Sequence, residues 1–198
     1  LSCREYFDRD DASEREIRAL ADSLYLRPDW RWAMDGETSL SMGWRPDPAP
    51  HQNERGFITS RWIGYNEAML LYAMAVGSPT HDIPSSSWQA WTSGYQWARF
   101  HGQDFVQFAP LFGHQYSHIW IDFRGIQDSY MRARGIDYFE NSRRATLSQR
   151  AYATANPNQW REYSADIWGL TASDGPLDTT LVIDGRSRSF HTYWARGA

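Results

Sequence analysis

Lysine is missing altogether: all 20 basic residues are arginines, set against 24 acidic ones for a net charge of −4. The missing lysine reads as a compositional habit of the source. With no basic block anywhere, the charge pattern gives no nucleic-acid footprint. The single cysteine, Cys3, excludes an internal disulfide, and no Cys or His cluster has the spacing of a structural zinc site. Long hydrophobic runs are missing too: the longest, Ala68 to Val76, has nine residues and is too short to span a membrane. No charged stretch followed by an apolar core opens the chain, so no signal peptide is expected within it. It also lacks an initiating Met, and Leu1 to Phe7 reads as the last two turns of a helix. The chain is therefore expected to be a fragment. Repeats and low-complexity segments are absent, and 41% apolar with 22% charged residues describes a soluble globular protein.

Aromatics are abundant, with 11 Trp and 11 Tyr. Trp30, Trp32, Trp44, Trp62 and Trp160 sit directly beside Asp or Arg. The segment Pro110-Leu-Phe-Gly-His-Gln-Tyr-Ser-His-Ile-Trp-Ile-Asp122 sets amide, phenol, imidazole, indole and carboxylate groups between apolar residues. Sugars present C–H faces and hydroxyl edges, so their sites need flat aromatic walls beside convergent donors and acceptors. A single Trp or Tyr is more ordinarily a core filler with its polar tip satisfied.

Overlapping capping boxes, Asp11-Ala-Ser-Glu14 and Ser13-Glu-Arg-Glu16, precede a helical stripe of Ile17, Leu20, Ala21 and Leu24, ending near Pro28. Strand-like pieces at 39–44 and 57–63 flank a loop with Pro46, Pro48 and Pro50, a hairpin-like excursion near 38–63. The spacing predicts a helix over 65–76 that is apolar all round and hence an inner helix. Gly77 is expected to close it in the left-handed conformation. Further helices are expected over 85–95, 117–132 and from Asp137 to just before Pro157, with a short one over 166–172 and an irregular end from Leu181. Helix after helix around one enclosed member points to an all-α fold of layered hairpins, a partial six-hairpin α/α barrel, or toroid. The whole barrel needs roughly twice this chain. Residues 1–198 are then a single incomplete domain.

Glu67 is placed in the first turn of the apolar helix, where the helix dipole lowers a carboxyl pKa and burial raises it. In a half-desolvated cleft the second effect leaves a protonated acid able to donate to a leaving oxygen. The plainer reading is a helix-start Glu that satisfies N–H groups. A polar Asn66-Glu67 pair at the tip of an apolar helix must, however, face something polar. His114, His118 and Asp122 are spaced to share a helix face. They lack the Glu that follows the first His in zinc proteases, so a hydrogen-bonded His–Asp pair is favoured over a metal site. Asp122 with Arg124 forming a plain buried ion pair is the alternative. Glu140 fits a capping box with Asp137, and Asp174 sits in a turn-like Thr-Ala-Ser-Asp-Gly-Pro.

These strings together resemble the bacterial glucoamylase-like family that contains endo-β-1,2-glucanases and a domain of cyclic β-1,2-glucan synthases. The resemblance is carried by Gly64-Tyr-Asn-Glu-Ala-Met69, Gly77-Ser-Pro-Thr-His81, Pro110 to His118, Trp120-Ile-Asp-Phe-Arg124, Gly135-Ile-Asp-Tyr-Phe-Glu-Asn-Ser142 and Trp168 to Pro176. It implies a six-hairpin α/α barrel and hydrolysis of a β-linked glucan. Glu67 takes the place of the central acid, with Trp62, Tyr65, Asn66, His81, Gln115, His118, Asp122, Arg124 and Asp174 lining sugar subsites. Further carboxylates of the family lie on an inner helix before the start of this chain. The partners implied are an oligosaccharide or polysaccharide and the rest of the parent barrel, with no cofactor, metal, nucleic acid or membrane contact. An exported or periplasmic parent is implied by resemblance alone. A transglycosylase that passes glucan to another sugar, a non-catalytic carbohydrate-binding remnant and a metal-dependent hydrolase stay open as alternatives.

Overall fold

The structure, a computed structural model, describes residues 1–47, 55–175 and 177–195. They form two compact units: Leu1–Gly64 with Ala68–Gly94, and Tyr65–Glu67 with Tyr95–Ala198.

In the first unit, α1 (Ser2–Tyr6) leads into α2 (Ala12–Leu26), whose start is fixed as expected: the Asp11 carboxylate accepts the Glu14 N–H at 2.9 Å. Glu14 itself is buried and turns back to Arg9, taking its backbone N–H at 2.7 Å and its guanidinium. Of the expected stripe, Leu20 and Leu24 are exposed among the described residues. After α3 (Trp30–Ala33), the excursion is present in shorter form, with β1 (Trp44–Arg45) pairing antiparallel to β2 (Gly56–Phe57) and a bridge between Ser41 and Arg61. Pro48 and Pro50 lie outside the described residues.

The apolar helix α4 spans Met69–Val76, four residues later than the pattern predicts. Its preceding turn is set by a crossing of two glycines. Gly64, at φ +88°, donates its N–H to the Trp91 carbonyl at 2.8 Å. A Cβ on Gly94 would sit 2.8 Å from the Gly64 nitrogen and 3.0 Å from its Cα. Backbone, unlike a side-chain tip, cannot step aside cheaply. Gly94→Ala is therefore expected to cost about 1–3 kcal/mol of stability, read from denaturant midpoints. Met69, Tyr72 and Ala75 of α4 are fully buried. The Tyr72 hydroxyl accepts from Leu40 N–H at 3.0 Å and donates to the Trp62 carbonyl at 2.9 Å, so a polar tip in the core is satisfied. The ring stacks on Trp91, which is also fully buried and meets Trp88 edge-on at 4.8 Å, both on α5 (Ser86–Thr92). Gly77 ends α4 with its N–H on Ala73 O, but at φ −88° rather than in the left-handed region.

The second unit begins with a hairpin that the sequence reading omits: β3 (Trp97–Phe100) pairs with β4 (Gln103–Val106) across His101-Gly102, both at positive φ (41° and 83°). Helix α6 (Leu111–Gln115) passes into a 3₁₀ turn, Tyr116–Ile119, and α7 is only Ser129–Ala133. The single helix expected over 117–132 is thus broken. Asp122 takes the Arg124 N–H at 3.1 Å in an Asx-type turn, Gly125 adopts φ +76°, and Asp128 restarts the helix by accepting from Met131 N–H. Helix α8 (Tyr138–Ala155) is capped as expected by Asp137 on Glu140 N–H and closed by Asn156 at φ +39° before Pro157. Asn156 also clasps the chain beyond it: its amide donates to Trp160 O at 2.7 Å and accepts from Trp160 N–H at 2.7 Å.

The expected helix over 166–172 is absent, and the described residues beyond it form strands where an irregular segment was expected from Leu181. β5 (Ala172–Asp174) pairs with β8 (Tyr193–Ala195), and β6 (Thr179–Ile183) with β7 (Arg186–Phe190) through Asp184-Gly185. That Asp-Gly turn, at φ +50° and +74°, has the positive dihedrals of a two-residue hairpin. The described residues are thus helices with short antiparallel ladders between them. Among the described residues no helix is long and apolar enough to cross a membrane.

Candidate active site

Glu67 lies in the turn before α4, not in its first turn, so the helix start does not supply its environment. Its residue is half-buried, and its Oε2 is buried with no hydrogen-bond partner among the described residues. Leaving a carboxylate oxygen dry and unmatched is costly, so the arrangement calls for a partner outside these contacts. The backbone of Glu67 is held from the other side. Ser117 Oγ donates to its carbonyl at 3.2 Å, tying it to the 3₁₀ turn that carries His118.

Tyr65, two residues earlier, is the centre of a buried aromatic stack. Its ring lies on His114 at 4.7 Å and 25°, and near Tyr138 at 6.4 Å and 19°. Its hydroxyl meets Ser142 Oγ at 3.2 Å, and Ser142 Oγ meets His118 Nε2 at 2.8 Å. Burial pushes the Tyr65 phenol up to about 12, tempered by Ser142 and Asn141. Beside it Tyr138 donates to Asp128 at 2.7 Å and lies 2.9 Å from the Tyr95 hydroxyl. Burial raises both phenols well above their ordinary range, so they serve as neutral hydrogen-bonding groups. Asn66 is buried next to Tyr65 in sequence.

His114 sits beneath this stack with 1% of its surface exposed. Its Nε2 faces the Phe108 carbonyl at 3.2 Å, which fixes that nitrogen as the N–H. Nδ1 is then an acceptor, buried without a partner among the described residues. Burial depresses the imidazole to about 3. The unfolded ring titrates near its ordinary value of ~6.5. Between those values the unfolded chain binds the extra proton, so stability is whole above about 6.5 and declines as pH falls toward about 3, by up to ~1.4 kcal/mol per pH unit. His118, also lowered by burial and partly restored by Asp122 and Asp137, adds in the same direction. Urea midpoints measured between about pH 4.5 and 6.5 are expected to slope upward with pH, and His114→Gln to flatten that slope.

The His–Asp hydrogen bond favoured by the spacing does not form. Asp122 is held in a two-pronged pair by Arg124, at 2.7 and 2.8 Å, with the carboxylate 61% and the guanidinium 70% exposed. The break in the helix after His118 turns Asp122 onto its own neighbour. This pair, led by the Arg124 hydrogen bonds, holds the Asp122 carboxyl down at about 2. Glu140 is likewise taken by Arg143 at 2.7 Å and Arg144 at 2.8 Å, so its side chain pairs with arginines and makes no reciprocal capping contact to Asp137 among the hydrogen bonds of the described residues.

Gln115 is exposed and lines a pocket of about 360 Å³ with His114, His118, Ile119, Phe139 and Ser142. Glu67 and Asp122 are not on its wall. Asp174 is exposed in β5 rather than in a turn, on an aromatic pocket of about 310 Å³ that includes Trp160 and Trp194. Trp62 and His81 belong to the first unit; Trp62 is half-buried, and His81 is exposed with its N–H on Ser78 Oγ at 3.3 Å. Among the described residues no group of three or more His, Cys, Asp or Glu side chains could hold a metal ion. Sequence reasoning missed the binding partners Ser142, Tyr95 and Tyr138, and gave His114 no sugar role. The signal was on α8, where Tyr138, Asn141, Ser142, Ala145, Ser148 and Gln149 recur at helical spacing as a buried face made largely of polar side chains.

Residues 59–198 match the family described as "Glycoamylase: Putative glucoamylase", and the chain belongs to that family. It is 27% identical over 201 residues to the exo beta-1,2-glucooligosaccharide sophorohydrolase (non-reducing end) of Parabacteroides distasonis, an alignment covering 88% of this chain and 26% of that protein. The fold is similar to the endo-beta-1,2-glucanase of Chitinophaga pinensis, solved with sophorotriose and glucose, at a TM-score of 0.71 and 27% identity over 87% of this chain and 42% of that one. It is also similar to the beta-1,2-glucanase of Parabacteroides distasonis, at a TM-score of 0.73 and 25% identity over 87% and 27%. The chain thus spans about a quarter of the curated relative and less than half of these solved structures.

Proposed function

We propose that this chain is part of a glycoside hydrolase that cleaves β-1,2-glucan, with Glu67 as the acid that protonates the glycosidic oxygen. The observation that carries this reading is the buried Oε2 of Glu67, unmatched among the described residues and two positions along the chain from Tyr65 and its stack on His114, in a chain of this family. The substrate comes from the relatives, two of them named for β-1,2-glucan and one for its oligosaccharides. Trp62, Tyr65, Asn66, His81, Gln115, His118, Asp122, Arg124 and Asp174 are assigned to sugar subsites. Tyr65 acts there chiefly by orienting its neighbours, since its ring and hydroxyl are already engaged.

Four carboxylates of the second unit have other work. Asp122 holds Arg124, Asp128 holds Met131 N–H and Tyr138, Asp137 holds Gly125 and Glu140 N–H, and Glu140 holds two arginines. The carboxylate that guides water is assigned to another acid of this chain or to the remainder of a six-hairpin α/α barrel, of which residues 1–198 are one incomplete portion. For inversion it stands roughly 6.5–9.5 Å from Glu67, against roughly 5 Å for a retaining pair. Exposed Leu20 and Leu24 on α2 fit a surface that the remaining barrel covers. The test is a panel of linear glucans incubated with the full-length parent and scored for reducing ends. β-1,2-glucan is expected to release them; transfer without new reducing ends, or indifference to linkage, would defeat the reading.

A further inference from the structure

The second unit holds another pocket, of about 400 Å³, built between the end of α8, the loop after it and β7. Its aromatic wall is Tyr152, Trp160, Tyr163 and Trp194, and two arginines, Arg186 and Arg188, face it from β7. Arg188 lies with its guanidinium carbon 4.4 Å from the centre of the Trp160 ring and donates to Gln159 O at 3.1 Å, which holds the cation in one orientation. Arg186 is exposed. Neither guanidinium has a carboxylate within ion-pair distance among the described residues, and no Asp or Glu lines the pocket. Asp174 lines the adjoining pocket instead, and Asp178 is engaged by Thr192 and His191.

We infer that this pocket binds a sugar carrying an acidic substituent, the ring against the aromatic wall and the anion on Arg186 and Arg188. Elsewhere in this unit Arg99, Arg124 and Arg143 each take a carboxylate in a two-pronged pair; Arg186 and Arg188 face no carboxylate among the described residues, and Arg188 gives one N–H to Gln159 O. A neutral hydroxyl would leave both charges uncompensated, whereas a carboxylate or phosphate ester matches the fork. The wall of Trp and Tyr supplies the flat surface that a sugar's C–H face requires. Glu67 does not line this pocket, and binding there needs no turnover.

The experiment is titration calorimetry of the chain and of its full-length parent, at low salt, with glucose, glucuronate and glucose 6-phosphate. At least one of the two acids is expected to bind about tenfold tighter than glucose, and added salt to erode the difference. The preferred acid separates carboxylated from phosphorylated sugars. Arg186→Gln, an exposed change with no packing to disturb, should abolish most of the preference and leave glucose affinity and glucan turnover as they were. Glu67→Gln should leave all three affinities unchanged, which keeps this test apart from the catalytic assignment. Equal affinity for the three sugars, binding of none, or an acid preference untouched by Arg186→Gln would overturn the inference.

Discussion

Glu67→Gln in the full-length parent is expected to lower kcat on β-1,2-glucan by about a thousandfold, with the melting temperature hardly changed. The amide keeps the volume and removes the transferable proton. Oε2 has no partner among the described residues, so the exchange sacrifices no hydrogen bond of that oxygen there. A stability loss alone would shift melting and activity together, so the two readouts distinguish a chemical role from a structural one. Retained release of reducing ends by the variant would falsify the assignment of Glu67 as the acid.

The largest effect on folding is expected at Trp91. Its ring is fully buried between Tyr72 and Trp88, and its carbonyl receives the Gly64 N–H, so the residue joins α4, α5 and the glycine crossing. Trp91→Ala removes the indole from a close-packed site that cannot collapse around the gap, at a cost of about 3–5 kcal/mol. At this chain length that is roughly 2–4 °C of melting temperature per kcal/mol. Trp91→Phe, which leaves a smaller void, is expected to lose less than half as much. Equal losses for the two would mean that the stacked ring is not what holds this core.

Elements whose boundaries are set by neighbouring residues were legible in the sequence. Asp11 and Asp137 start α2 and α8 through side-chain contacts three residues away, and Asn156 with Pro157 stops α8. The helix expected over 117–132 failed for a reason of the same range: Asp122 and Asp128 both offer oxygens to nearby N–H groups, and apolar spacing does not register that competition. The hairpins across His101-Gly102 and Asp184-Gly185 were missed, the second within a stretch expected to be irregular, because pairing of the flanking segments and not apolar spacing makes them. At the site, the polar pair Asn66-Glu67 was expected to meet a polar partner, and among the described residues Glu67 Oε2 has none. What stayed hidden was set by tertiary contact. Ser142 between Tyr65 and His118, and the stacking of His114 on Tyr65, join residues dozens of positions apart. The pairing of Asp122 with Arg124 was one of three options that spacing left open, and it forms at the surface where a buried pair was expected.

The clasp at the end of α8 bears on how the protein ages. An asparagine side chain deamidates when the backbone nitrogen of the next residue attacks its amide carbon and closes a succinimide ring. The residue after Asn156 is Pro157, whose nitrogen carries no hydrogen and is locked in its own ring. The amide that grips Trp160 from both sides is thereby shielded from the ordinary route of decay, and the fold-back beyond α8 rests on a group that storage leaves intact.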